Sequence, residues 1–375
     1  MRFADIACGS GSFLLGVYDT LLRYHTAYYN RNKRTQNEGR KAGCLPTETG
    51  ALRLSLLQRR TILLNNIYGV DIDHQAVEVA QLSLYLKLLE DETTASAHQQ
   101  QMALREALLP SLSKNIVSGN SLIGWDILEA KLFDTADERK FNPMDFEDVF
   151  SEVIHHGGFD AIVGNPPWGA AHTETELAYL RKNYQRVIAR MIDSYIYFLD
   201  RAVQLVSDTG LVGFIIPSTL LNQVDAMPVR NLMLSRGLSD LVSLGSGVFG
   251  TKVLNTSTIL VSKKMKEGPM VLADFSSVPP NQREKSLQTL TSTTPWNLWK
   301  DLVERDPHLT FFVNKPEVTL LLMQLRDKYA TLGDLIPGGI ERGSQSRLSQ
   351  CSRHFNGLRK KRKPREPLAK LGVSG

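Results

Sequence analysis

The opening residues join three elements without a break: "RFADIA", an apolar strand end; "CGSGS", a turn of small residues; and "FLLGVYDTLLRYH", a helix with Phe13, Leu14, Val17 and Leu21 on one face. An apolar run feeding a glycine turn and then an amphipathic helix is half of a βαβ unit. Such a start commits a chain to a sheet covered by helices. The same alternation continues downstream. A buried strand is expected at Ile67, Tyr68 and Val70, followed by the helix "HQAVEVAQLSLYLKLLE". Short strands are expected in "NIVSGNSL" and "FDAIVGN", then the helix "MIDSYIYFLDRAVQLVS" and the strand "GLVGFIIP". "LSDLVSLG" and "TSTILVSKK" read as strands at the far edge of the same sheet. The pattern predicts an α/β fold with a doubly wound, mostly parallel sheet.

Composition sets the outer bounds. With 375 residues, 42% of them hydrophobic, the chain can bury a full core. Its most apolar segment, "GLVGFIIPSTLL", is short and broken by Pro217, so no membrane partner is expected. The N-terminus has no charged-then-apolar leader. Cys8, Cys44 and Cys351 show neither metal spacing nor a disulfide framework, so no metal is expected and a cytoplasmic location fits.

Charge is unevenly placed. From residue 343 onward nine Lys or Arg stand against Glu366 alone, so this tail carries +8 while residues 1–342 carry −3 of the net +5. A second basic stretch, 23–60, holds nine Lys or Arg against Glu38 and Glu48, and reads as a polar insertion. Each patch is either a phosphate contact or a solvated segment. Past residue 265 the text "SSVPPNQREKSLQTLTSTTPW" breaks the strand-helix rhythm. The expected organisation is a catalytic domain over 1–265, a linker and the start of a second region over 266–342, and a basic, disordered tail over 343–375.

Open α/β sheets hold ligands beyond the carboxyl ends of their strands, so the residues at each exit carry the chemical information. The first exit offers Asp5, Cys8, Gly9 and Gly11, a carboxylate beside a turn that a ligand can approach closely. The second offers Asp71, an acid suited to ribose hydroxyls. It lies 60 residues past Gly11, or 22 once the stretch 23–60 is removed, against the roughly 20 typical of nucleotide folds. Asp73 reads as the cap of the following helix. The third exit offers Asn120, whose carboxamide can donate and accept at an adenine edge. The fourth offers Asn165, Pro166, Pro167 and Trp168. There a carboxamide oxygen and the carbonyl of a rigid Pro-Pro turn can both accept from one planar amino group, and Trp168 supplies a face for an extruded base.

In order and spacing, "DIACGSGSF", "YGVDIDHQAVEVAQLSLYLKLL", "VSGNSLIGWD", "FDAIVGNPPWG", "GLVGFIIPSTLL" and "VFGTKVLNTSTILV" resemble the N6-adenine DNA methyltransferases. More closely they are similar to the methylase part of the Eco57I-like, type IIG restriction-modification enzymes, or to the methyltransferases of BREX phage-defence systems. The resemblance covers about residues 1–265. It implies a Rossmann-like S-adenosylmethionine-dependent fold and methylation of adenine N6 in DNA, with double-stranded DNA carrying a flipped adenine, and nuclease or defence-system subunits, as partners. It also implies that Asp5, Cys8, Gly9 and Gly11 face the methionine end of S-adenosylmethionine, Asp71 its ribose, and Ile72 and Asn120 its adenine. Asn165 and Pro166 would hold the target amino group, and Trp168 and Phe249 would stack on the base. Asp193 reads more readily as a solvated helix residue.

The chain departs from the pattern in three places. Ile6 stands where the family has proline; the chain opens on the cofactor loop itself; and basic low-complexity text follows "GGIERGSQS". A fragment or a frameshifted reading frame, weak in cofactor binding when alone, is the expectation. Alternative readings are an inactive truncated paralogue, or a methyltransferase acting on a protein glutamine or an RNA base.

Overall fold

The computed structural model describes residues 1–90, 92, 109–128, 140–188, 193–249, 256–265, 267–290, 293–314 and 316–329. The tail 343–375 lies outside them. The chain divides into two units, Met1–Thr319 and Leu320–Gly375. The sheet belongs wholly to the first.

Its strands are Phe3–Asp5 (β1), Leu45–Pro46 (β2), Leu52–Arg53 (β3), Ile67–Asp71 (β4), Ile116–Ser118 (β5), Phe159–Gly164 (β6), Val206–Pro217 (β7), Leu238–Gly245 (β8), Ser257–Lys263 (β9), Pro269–Asp274 (β10) and Thr293–Pro295 (β11). Nine of them form one sheet in the order β11-β10-β8-β9-β7-β6-β1-β4-β5, and β2 pairs with β3 as a separate hairpin. The run β7-β6-β1-β4-β5 is parallel throughout. β9 lies antiparallel between β7 and β8.

Helices cover both faces, which is why the central strands read as continuous apolar runs. On one face sit Ser12–Tyr29 (α1), Leu56–Asn66 (α3) and His74–Leu89 (α4), burying Leu14, Tyr18, Leu63, Val77 and Leu84 against Ile67 and Ile116. α1 approaches closely because Gly69 leaves room: a Cβ there would stand 2.7 Å from Leu14 Cδ1. The other face buries Leu199 and Ala202 of the helix Ser194–Leu205, Val229 and Met233 of the helix Met227–Arg236, and a cluster of phenylalanines.

Three regions differ from expectation. The stretch 23–60 is folded structure: α1 runs on to Tyr29, Lys33–Lys41 (α2) follows with an Asn32–Thr35 capping box, and α3 starts on a Ser55–Gln58 capping box. Several of its cations are spent internally, Arg59 on the Lys87 and Glu90 carbonyls, Arg53 on Glu92, and Arg34 on Glu38. The charged text 127–157 reads as a long loop, yet Phe141, Met144, Phe146, Phe150 and Val153 within it are all buried. Finally, the sheet continues past residue 265. β10 pairs parallel with β8, β11 pairs with β10, and Trp296 and Trp299 of the helix Trp296–Arg305 enter the main core. These pairings depend on distant partners, so local composition at 266–295 concealed them.

Arg230 binds this extension to the rest. It is completely buried, and its guanidinium donates to the carbonyls of Leu309 (2.9 Å), Leu220 (2.6 Å), Gln223 (2.8 Å) and His308 (2.8 Å). Leu309 itself is held at φ 50°, in the left-handed region.

Candidate functional site

Strand order reverses between β1 and β6: from β1 the sheet proceeds to β4 and β5 on one side, and from β6 to β7 on the other. Such a reversal opens a crevice beyond the carboxyl ends of the two strands. The residues expected from the first, second and fourth strand ends meet at this place.

The glycine turn is built as its sequence requires. Gly9 (φ 51°) and Gly11 (φ 84°) occupy left-handed backbone, and the Gly11 N–H closes the turn on the Cys8 carbonyl at 2.8 Å. Gly11 also meets α4, for a Cβ there would lie 3.0 Å from Ala80 Cβ, whereas one on Gly9 would face open space. Asp71 ties the two strand ends together. Its Oδ2 accepts from the Gly9 N–H at 2.7 Å and its Oδ1 from the Asp73 N–H at 3.0 Å. Asp73 in turn caps α4 through the Gln75 N–H at 2.9 Å, as expected. Each Asp71 oxygen keeps a lone pair for a ligand hydroxyl. Ile72, half exposed, follows as an apolar surface.

Asp5 is 2% exposed and, among the described residues, accepts only from the Ala7 N–H, at 3.1 Å. Burial, with the neighbouring Asp71 adding to it, pushes its pKa up to about 7. Burial likewise pushes the Cys8 thiol up, leaving it a neutral wall of the site. The Asp5 carboxylate lies directly against Gly164, where a Cβ would stand 2.5 Å from Oδ1. Sequence reasoning passed over Gly164, although a glycine inside a strand signals close approach.

Asn120 is turned elsewhere. Its Nδ2 donates to the Phe141 carbonyl at 3.2 Å and its Oδ1 accepts from the Leu122 N–H at 3.0 Å, so its carboxamide serves the loop in this structure. Asn142, which was not anticipated, donates to the Ile72 carbonyl at 3.1 Å and to Ser118 Oγ at 2.9 Å.

Beyond β6, Asn165 Oδ1 is buried without a hydrogen-bond partner. Pro166 is buried, Pro167 exposed and Trp168 partly buried, with its Nε1 also lacking a partner. Phe249 meets Trp168 edge to face, with ring centroids 5.5 Å apart and planes at 79°. The two aromatics named from the sequence are therefore neighbours across 81 residues. Asp193 corrects the solvated reading, since its Oδ1 accepts from the Gly169 N–H at 2.8 Å and fixes the turn after Trp168. It also lines a cavity of about 200 Å³ with Tyr195, Thr219, Gln223 and Asp225. A larger cavity, about 600 Å³, lies against the C-terminal half of α1 and touches none of the strand-end residues. Among the described residues no three His, Cys, Asp or Glu side chains gather as a metal site, and no helix is long and apolar enough to cross a membrane.

Residues 65–249 match the Eco57I restriction-modification methylase family. The type II restriction enzyme and methyltransferase RM.Eco57I of Escherichia coli is 33% identical over 273 residues, which are 70% of this chain and 24% of that protein. The adenine-specific methyltransferase PglX of Lacticaseibacillus casei is 24% identical over 80% of this chain and 26% of its own length. The chain thus spans about a quarter of these relatives. Among solved structures, a nuclease-deletion mutant of the type ISP restriction-modification enzyme LlaGI, in complex with a DNA substrate mimic, superimposes with a TM-score of 0.52 at 14% identity, over 83% of this chain and 24% of that one. That likeness concerns the fold.

Proposed function

We propose, for a chain whose residues 65–249 belong to the Eco57I restriction-modification methylase family, that it carries the catalytic half of an adenine-N6 DNA methyltransferase of a restriction-modification or phage-defence system. S-adenosylmethionine is the cofactor whose shape and charge suit the β1–β4 edge. The carboxylates of Asp5 and Asp71 flank a glycine turn with open space above Gly9, and Ile72 offers an apolar surface beside them. Asp5 and the turn of Cys8, Gly9 and Gly11 would face the cationic amino-acid end, Asp71 the ribose and Ile72 the adenine ring. Asn120 would have to release a loop contact to take part. When bound, the cofactor supplies an electrophilic methyl group on a sulfonium.

The observation that carries the reading is the buried, partnerless Asn165 Oδ1. A buried acceptor without a donor costs the fold desolvation energy, and such atoms persist where a ligand completes them. An exocyclic amino group held by Asn165 Oδ1 and the Pro166 carbonyl would be turned toward the pyramidal geometry in which its nitrogen lone pair can attack carbon. Trp168 and Phe249 would provide faces for the extruded adenine.

The test compares the unaltered chain with Asn165→Ala, using radiolabelled cofactor and DNA from a methylation-deficient host. Transfer to adenine should fall at least about a hundredfold, the usual effect of losing one preorganised polar group, while cofactor affinity stays within about threefold. Transfer at an unchanged rate would refute the assignment.

A further inference from the structure

Two buried polar atoms at the β6 exit lack partners, and the reading above uses only one. Asn165 Oδ1 is an acceptor awaiting the amino group; Trp168 Nε1 is a donor, and an indole N–H can do nothing else. A flat face for stacking does not require it, since phenylalanine would offer one without burying an N–H. Nor do the surroundings use it. Among the described residues none accepts from it, and Phe249, packed edge to face at 5.5 Å, carries no side-chain oxygen or nitrogen that could.

We infer that the Trp168 indole N–H donates to an oxygen of the sugar-phosphate backbone at the extruded nucleotide. The inference rests on the reading of this site as one that receives a flipped base. Geometry selects the oxygen. A base stacked on the indole lies parallel to it, whereas the N–H lies in the indole plane and points beyond the base's rim, where the nucleotide's own backbone runs. The Trp168–Phe249 pair bears on how a base would enter. Parallel insertion of a base needs about 7 Å between ring planes, two van der Waals separations. The ring centroids are 5.5 Å apart and the planes nearly perpendicular, so the pair must rearrange to admit the base between them.

The experiment uses the full chain labelled with ¹⁵N-tryptophan, with the Trp168 resonance assigned by its loss in Trp168→Phe. The probe is duplex DNA bearing an adenine opposite an abasic position. The expected result is a downfield shift and slowed solvent exchange of the Trp168 Nε1–H on adding DNA. Trp168→Phe should bind that DNA about tenfold to a hundredfold more weakly, as for one lost hydrogen bond to a charged oxygen. Its cofactor affinity should be unchanged, because the proposed cofactor edge is formed by other residues. Methylphosphonate linkages beside the adenine separate the two oxygens: a phosphate acceptor makes the wild type as weak as the variant, and a sugar acceptor leaves their difference intact. An unmoved resonance, or equal DNA affinity for Trp168→Phe and the wild type, would each overturn the inference. Failure of the unaltered chain to transfer methyl would count against the proposed function, and the resonance shift with DNA is read independently of it.

Discussion

Replacing Gly164 with alanine tests whether the edge proposed for the cofactor and the edge proposed for the target amine share one rigid contact. The new Cβ would sit 2.5 Å from Asp5 Oδ1, 3.0 Å from Cγ and 3.2 Å from Oδ2. Relief needs the carboxylate to retreat by about 1 Å to reach ordinary contact distance. Neither backbone can yield easily, because β1 is paired on both sides by β4 and β6, and β6 by β1 and β7. The side chain must therefore leave the Ala7 N–H. Overpacking costs about 1–3 kcal/mol, the lost hydrogen bond about 1 kcal/mol, and the stiffer unfolded chain returns about 0.4–1 kcal/mol. The net loss is about 1–4 kcal/mol, read as a urea midpoint lowered by about 1 M. Cofactor affinity measured by calorimetry should fall more than about tenfold. Gly213→Ala in β7 is the control, since its nearest neighbours would be Val163 Cγ1 at 3.6 Å and Val261 Cγ2 at 3.9 Å. Equal midpoints and equal cofactor affinity for the two variants would refute the contact.

Two further outcomes are expected. Because burial raises the folded-state pKa of Asp5 to about 7, stability should be greatest near pH 4, decline as the pH rises toward 7, and level off above, by at most about 4 kcal/mol; Asp5→Asn should flatten this slope, and parallel urea midpoints for both proteins from pH 4 to 8 would refute it. Arg230→Met leaves the carbonyls of Leu220, Gln223, His308 and Leu309 without their buried donor, so unfolding free energy should drop by about 3–5 kcal/mol and proteolysis should start near residues 306–312; a variant as stable and as resistant as the parent would deny Arg230 its role.

The strand-end residues were readable because each depends on its immediate neighbours: a turn needs Gly9 and Gly11, an apolar run ends at Asp71 or Asn165, and a helix needs Asp73 as its cap. Contacts set by distant chain were not readable. The β10 pairing with β8, the burial of Phe146 and Phe150, and the hydrogen bond from Gly169 to Asp193 all arise from tertiary packing. Asn120 shows the converse. Its residue type suited a ligand edge, but the Phe141 carbonyl, 21 residues on, and the nearby Leu122 N–H claimed the two ends of its carboxamide.

The position of β1 also bears on how the chain is made. β1 acquires β4 when residues 67–69 are synthesised, and gains β6 only with Ala161 and Ile162. At roughly 5–20 residues per second, its second edge stays open on the ribosome for about 5–20 s after β4 has paired. During that interval the glycine turn, α1 and α4 can already assemble around Asp71, while an unpaired edge beside Asp5 is free to recruit the wrong strand. Synthesis speed through residues 70–160 thus sets how long the nascent sheet is exposed to mispairing and to aggregation between neighbouring ribosomes.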